Sequence, residues 1–190
     1  MLLMGIDPGF ASMGFALVEL DGGIYGSTPI SVVSMGVIRT EKSDKKQNVL
    51  ASNDNFRRAR ELSRELRKIP RPDVICAESM SYPRNSSAAA KVSMAWGIIA
   101  DYCEASGTPM LMATPKELKR AVCGNAGASK EEVQAALKTR YGSTLEDLLH
   151  KAGIPAGQWE HPFDALAAVT ACLESETLRL LRRSSSARNQ

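Results

Sequence analysis

The hydrophobic period of this chain first changes near residue 40, from that of strands to that of a helix, and that change restricts the folds open to it. Residues 2–6, 14–20 and 31–38 are strand-like apolar runs, interrupted by Asp7-Pro8-Gly9 and Asp21-Gly22-Gly23, which are turn-forming sequences. Connections this short predict a three-strand antiparallel meander. Beyond it Phe56, Ala59, Leu62, Leu66 and Ile69 recur at three- and four-residue steps, the spacing of one helical face; Pro70 and Pro72 stop that helix. Residues 74–77 read as a short buried strand ending at Glu78. A helix over residues 87–105 follows, with Val92, Trp96, Ile99 and Cys103 as its apolar stripe and Met94 and Ile98 beside it. Residues 110–113 form another strand, and Thr114-Pro115 supplies an N-cap and a first-turn proline for the next helix. Ser129-Lys130-Glu131-Glu132 is a capping box for a helix reaching Tyr141, and a last helix runs from His161 or Pro162 to Leu181. The order predicts an α/β fold: a mixed five-stranded sheet, a three-strand antiparallel meander plus two parallel strands, flanked by helices.

A chain of 190 residues suffices for one well-cored domain. Residues 1–183 are assigned to it. Residues 142–160 are an added segment whose Leu145, Leu148, Leu149 and Trp159 can pack on the last helix or widen a binding surface, and residues 184–190 are expected to be a disordered polar tail. Hydrophobic residues at 44% and charged residues at 24% exclude collagen-like, coiled-coil and largely disordered chains. No apolar stretch approaches the roughly 20 residues that cross a bilayer, and the apolar N-terminus lacks the basic flank of a secretory signal. The expected location is the cytoplasm, without a membrane partner. Cys76, Cys103, Cys123 and Cys172 lack C-x-x-C spacing and are expected to be reduced thiols. The net charge of +3 does not identify a polyanion binder, but residues 39–72 hold eleven basic and five acidic side chains. That local excess suits either phosphate contacts or a solvated helix face.

Asp7 and Glu78 each end an apolar strand, where desolvating a carboxylate is costly without compensation. Parallel neighbours finish on the same sheet edge, and open α/β sheets place ligands there. His161 and Asp164, three residues apart and so on one helical face, open the otherwise apolar stretch 165–173. Singly, each has a structural explanation: a turn cap for Asp7, a helix N-terminal acid for Asp164, a packing or capping role for His161. Together, three acids and an imidazole on one edge repel each other unless divalent cations lie among them, and oxygen-rich sets suit Mg²⁺ or Mn²⁺. Glu160, beside His161, is a rival ligand.

Gly5-Ile6-Asp7-Pro8-Gly9 with Gly14-Phe15-Ala16, then Ala77-Glu78 with Asn85, Ala88 and Lys91, then His161-Pro162-Phe163-Asp164-Ala165-Leu166-Ala167 form an ordered set that resembles the RuvC-type Holliday junction resolvases. The resemblance implies an RNase H-like fold in which Asp7, Glu78, His161 and Asp164 hold two Mg²⁺ ions, with Mn²⁺ as a substitute. It implies paired hydrolysis of a four-way DNA junction, leaving 5′-phosphate and 3′-hydroxyl ends, by a homodimer whose interface is the helix over residues 87–105. By the same resemblance Lys119 and Lys130 act catalytically at the phosphate that is cut. Tyr82, Arg84, Asn85, Lys91 and Arg120 join those lysines in contacting DNA. The family's apolar or aromatic wedge after the glutamate is replaced here by Ser79-Met80-Ser81-Tyr82, with Tyr82 one position away.

Three other readings compete. An RNase H-like nuclease could act on other branched DNA or RNA–DNA hybrids instead. An actin-like ATPase needs two lobes and a second phosphate loop, and neither is present in the sequence. A non-catalytic junction-binding protein leaves the acidic set without a use.

Overall fold

The computed structural model describes residues 1–20, 30–44, 46, 48–80 and 84–188. Strands β1 (Leu2–Asp7), β2 (Ser12–Leu20) and β3 (Ile30–Arg39) form the antiparallel meander. β4 (Val74–Glu78) and β5 (Met110–Ala113) extend the sheet in parallel from β1, in the order β3-β2-β1-β4-β5. This is the mixed five-stranded sheet that the hydrophobic runs predict. Around it lie α1 (Ala51–Leu66), α2 (Ser86–Ser106), α3 (Pro115–Cys123), α4 (Lys130–Tyr141), α5 (Thr144–Lys151), α6 (Glu160–Leu173) and α7 (Glu176–Arg188). Thr114 and Ser129 each form the full reciprocal capping box with Glu117 and Glu132.

Alternation along the strands divides the core in two. Met4, Ile6 and Ile75 pack with Leu62, Leu66 and Ile99 from α1 and α2. Leu3, Val74 and Cys76 pack on the other side with Phe163, Leu166 and Val169 of α6. Fully burying each such large side chain contributes about 1.5–3 kcal/mol. All four cysteines are free; Cys76 and Cys172 are buried, and Cys103 and Cys123 partly so.

The buried stripe of α1 differs from the expected one. Asp54, Arg58, Leu62 and Leu66 face inward, whereas Phe56 is 67% exposed, because residues two apart on a helix point about 200° from each other. Hydrophobic periodicity gives no weight to a buried Asp or Arg, but this fold satisfies both. Asp54 accepts hydrogen bonds from the Ser43 hydroxyl (2.7 Å) and amide (3.1 Å) and from Arg57 (2.8 Å), which hold its carboxyl down at about 2. Arg58 donates to the Thr40 hydroxyl (3.1 Å) and carbonyl (3.2 Å) and lies 4.7 Å from the Phe10 ring centre. Thr40 in turn donates to the Phe10 carbonyl at 2.7 Å, so α1 is tied to the loop that follows Asp7. Arg58→Ala is expected to cost about 2–3 kcal/mol through lost packing and hydrogen bonds. The loss should read as a lower urea midpoint at unchanged slope, and an unmoved midpoint would show that the network carries no stability.

Further differences arise where helices meet. α2 buries Ala95, Trp96, Ile99 and Tyr102, leaving Val92 and Cys103 half-covered, since it lies against α1 and shares one core with the sheet residues Met4, Ile6 and Ile75. Ile98 packs against the core while Met94 is exposed. The single last helix expected to reach Leu181 is two helices. Ser175 separates them, donating to the Cys172 carbonyl (2.7 Å) and accepting from the Leu178 amide (3.2 Å), a side-chain cap that starts α7. α7 continues to Arg188, past the point where a tail was expected. Residues 142–160 form α5 and a short 3-10 helix, Ala156–Gln158. Leu145 and Leu149 are fully buried on the α6 side of the core, so the added segment packs, beside β3 and α4.

Candidate active site

β1 and β4 are paired in parallel with Ile6 opposite Ala77, so the next residues, Asp7 and Glu78, stand on adjacent strand ends, about 5 Å apart in backbone spacing. Both fall in the alternation that faces α6, with Leu3, Val74 and Cys76. Helix α6 reaches them because glycine leaves the sheet surface bare. A Cβ at Gly5 would lie 1.9 Å from the Ala165 carbonyl oxygen, and one at Gly14 would lie 2.2 Å from the His161 carbonyl oxygen. Backbone therefore meets backbone, which only glycine permits. Phe163, fully buried, anchors the first turn and leaves His161 and Asp164 at the edge. His161 Nδ1 lies 2.7 Å from Asp7 Oδ2 across 154 residues of sequence.

The electrostatics link the same groups. Burial pushes the Asp164 carboxyl up to about 6; the charges of Asp7, Glu78 and Glu160 add to the rise, and Lys130 opposes it. Glu78 is raised by burial and then by Asp7, against Lys130 and Lys119. The hydrogen bond to Asp7 raises His161 despite its burial. Lys130 is raised chiefly by its hydrogen bond to Glu160 at 3.1 Å, and its ammonium lies 3.9 Å from Asp164. Glu160, the rival ligand, forms a surface ion pair with Lys130.

Among the described residues, no three His, Cys, Asp or Glu side chains form a compact metal-binding group. Glu78 and Asp164 lie close enough to Asp7 for its charge to raise both. The donor set still fits hard divalent cations: it is carboxylate-rich and half-buried, and Glu78 and Asp164 are raised by burial and then by the neighbouring negative charge, which a cation offsets.

The folded chain holds the Asp164 proton more tightly than the unfolded chain, so ionising it lowers stability as pH rises from about 4 to 6, and the loss persists above that range. Asp164→Asn is expected to raise the melting temperature of the cation-free protein at pH 8 and to flatten the decline between pH 4 and 6. A lower melting temperature would make Asp164 a stabilising charge instead.

The other predicted residues are spread more widely. Asn85 caps α2, accepting from the Ala88 amide at 3.1 Å. Arg84 beside it is exposed, and Lys91 is half-covered. Lys119 on α3 is half-covered and influences Glu78. Arg120, the next residue, is turned away: it lines a cavity of about 340 Å³ with Met112, Glu117, Cys172 and Glu174. That cavity lies at the far end of α6, about 17 Å along the axis from His161, so the structure does not bring Arg120 to this site. Tyr82 falls outside the described residues. Sequence reasoning missed Gly5 and Gly14 as contact points for α6; their signal was isolated glycine inside apolar strand runs.

The Crossover junction endodeoxyribonuclease RuvC family matches residues 3–147, more than half of the chain. The chain belongs to the RuvC family. The RuvC of Pseudothermotoga lettingae is 32% identical over 141 residues, which are 73% of this chain and 78% of the relative. The RuvC of Natranaerobius thermophilus is 30% identical over 138 residues, 73% of this chain and 79% of the relative. The structure of Thermus thermophilus RuvC in complex with Holliday junction substrate superposes with a TM-score of 0.64 at 25% identity, over 91% of this chain and 93% of that one. The fold is thus RNase H-like, as in RuvC. The family match ends within α5, so tertiary structure, not that match, joins His161 and Asp164 to Asp7 and Glu78. Among the described residues no helix is long and apolar enough to cross a membrane.

Proposed function

We propose that this chain is a structure-selective DNA endonuclease that resolves four-way junctions by paired, metal-dependent phosphodiester hydrolysis. The observation that carries the reading is the convergence of Asp7, Glu78 and the His161/Asp164 pair on one sheet edge, in a chain of the RuvC family. Asp7, Glu78, His161 and Asp164 would hold two Mg²⁺ ions, or Mn²⁺ in their place. When bound, the cations activate the attacking water and stabilise the leaving oxygen.

The protein's own groups prepare that chemistry. Asp7 stands between Glu78 on the neighbouring strand and His161 on α6, and would act with both in holding the cations. Its hydrogen bond orients the His161 ring and favours the imidazolium. A ligating nitrogen must be deprotonated, so cation and proton compete at His161. Lys130, anchored by Glu160, and Lys119 place positive charge at the rim, where a DNA phosphate displaces part of their interaction with the acids. Arg84, Asn85 and Lys91 lie around the start of α2, within the half of the chain that follows β4.

Matched nicks on two strands call for two active sites, so we assign the working form to a homodimer joined through the outer face of α2, where Met94 is exposed and Gly97 leaves space. The alternative substrates, flaps and RNA–DNA hybrids, share the same chemistry. Cleavage of a synthetic mobile four-way junction, a flap, a linear duplex and a hybrid, titrated with Mg²⁺ and with Mn²⁺, separates them. Paired nicking of the junction in preference to the others is expected; preference for the hybrid or the flap would overturn the assignment.

A further inference from the structure

The basic excess of residues 39–72 is not consumed by the active site, and the structure organises it. Phe56, Arg60, Arg64 and Arg67 follow one another along α1 and its C-cap at steps of four, four and three, forming a single ridge opposite the buried stripe. Phe56 is 67% exposed, with Leu50 (69%) and Val49 (44%) also exposed at the start of the helix. The Arg60 guanidinium lies 5.9 Å from the Phe56 ring centre, and among the described residues Arg60 forms no ion pair. Arg64 meets Glu65 at 3.6 Å and Arg67 meets Asp101, surface pairs that screen rather than cancel the arginines. Ala59, Arg60, Ser63, Arg64 and Arg67 line a shallow groove of about 500 Å³.

The ridge starts at the catalytic edge. β1 and β3 are both antiparallel to β2, so β3 ends on the edge that carries Asp7. Thr40, just past β3, accepts from Arg58 and is bonded to Ala11 and Phe10 of the loop after Asp7. The first turns of α1 are therefore beside that loop, and the helix runs away from it. From Arg60 to Arg67 the axis covers about 10 Å, the length of roughly three nucleotides of one strand.

We propose that Phe56, Arg60, Arg64 and Arg67 form a second DNA contact, separate from the catalytic cleft. Phe56 stacks on an unpaired base at the crossover, and the arginines hold the phosphates of the strand leading away. An aromatic face interleaved with arginine is the chemistry of single-strand binding. Charge complementarity favours DNA over a second protein copy: one aromatic and two aliphatic side chains offer roughly half of the ~800 Å² per partner that a stable protein interface takes. The inference rests on the proposed junction substrate.

The test uses the whole chain and a four-way junction with 2-aminopurine beside the crossover, in cation-free buffer so that the DNA stays uncut. Wild-type binding is expected to change the fluorescence. Phe56→Ala should lose most of that change and bind roughly tenfold more weakly. Arg60→Gln with Arg64→Gln should lower the slope of log affinity against log salt by about 2, while Arg60→Lys with Arg64→Lys should keep it. All these side chains are exposed, so melting temperatures should match. Wild-type fluorescence and slope in the first two variants would overturn the proposal. So would a Phe56→Ala variant that changes only self-association in sedimentation. A wild-type protein that binds the junction but never cuts it with Mg²⁺ would reject the proposed function, and leave this surface to be judged by fluorescence and slope.

Discussion

Asp7→Asn is expected to abolish junction cleavage, by roughly a thousandfold or more, while the protein still folds and still binds the junction. Asp7 is the acid that the others converge on: it hydrogen-bonds His161 at 2.7 Å and raises both Glu78 and Asp164. Asparagine keeps the size and a hydrogen-bonding oxygen for His161 but removes the charge with which Asp7 would hold the proposed cations. A loss of about 4 kcal/mol of transition-state stabilisation corresponds to the stated factor. Affinity at moderate salt depends on the basic groups and should change little. Single-turnover cleavage and equilibrium binding on the same junction check this. Parallel loss of binding and melting temperature would mean that Asp7 is structural.

The second large effect is expected from a methyl group. Gly14→Ala places a Cβ 2.2 Å from the His161 carbonyl oxygen and 2.8 Å from the His161 Cβ. No rotamer change relieves a clash with backbone, so the start of α6 must lift from β2. Overpacking of this kind costs about 1–3 kcal/mol, and moving catalytic groups by about 1 Å can cost 100-fold in rate. The expected result is a folded protein with a lowered melting temperature and cleavage reduced about 100-fold. Gly157→Ala, in the 3-10 helix Ala156–Gln158, is the control: nothing lies within 4 Å of its added Cβ, so it should melt and cut like the parent. Equal behaviour of the two variants would show that the approach of α6 to β2 does not position His161.

The strands and the helix starts at Pro115 and Lys130 were legible because each depends on local chemistry: alternation, turn residues and caps. The break at Ser175 was not, since apolar spacing continues across it and only a side-chain cap marks the division. Phe56 was misplaced for a related reason. Its periodicity with Leu62 and Leu66 is weaker than the true four-residue stripe, which contains Asp54 and Arg58. Those two can be buried only because Ser43, Arg57, Thr40 and Phe10 lie there to receive them.

From the order of residues alone came the sheet and the four candidate ligands, because carboxylates at the ends of apolar strands need compensation wherever the chain folds. The distances between them were decided by tertiary packing. Gly5 and Gly14 let α6 rest on the strand backbones, and that contact sets His161 against Asp7, draws Asp164 into their field and leaves Arg120 at the other end of the helix. Sequence spacing carries no information about groups 154 residues apart; steric access between backbones does.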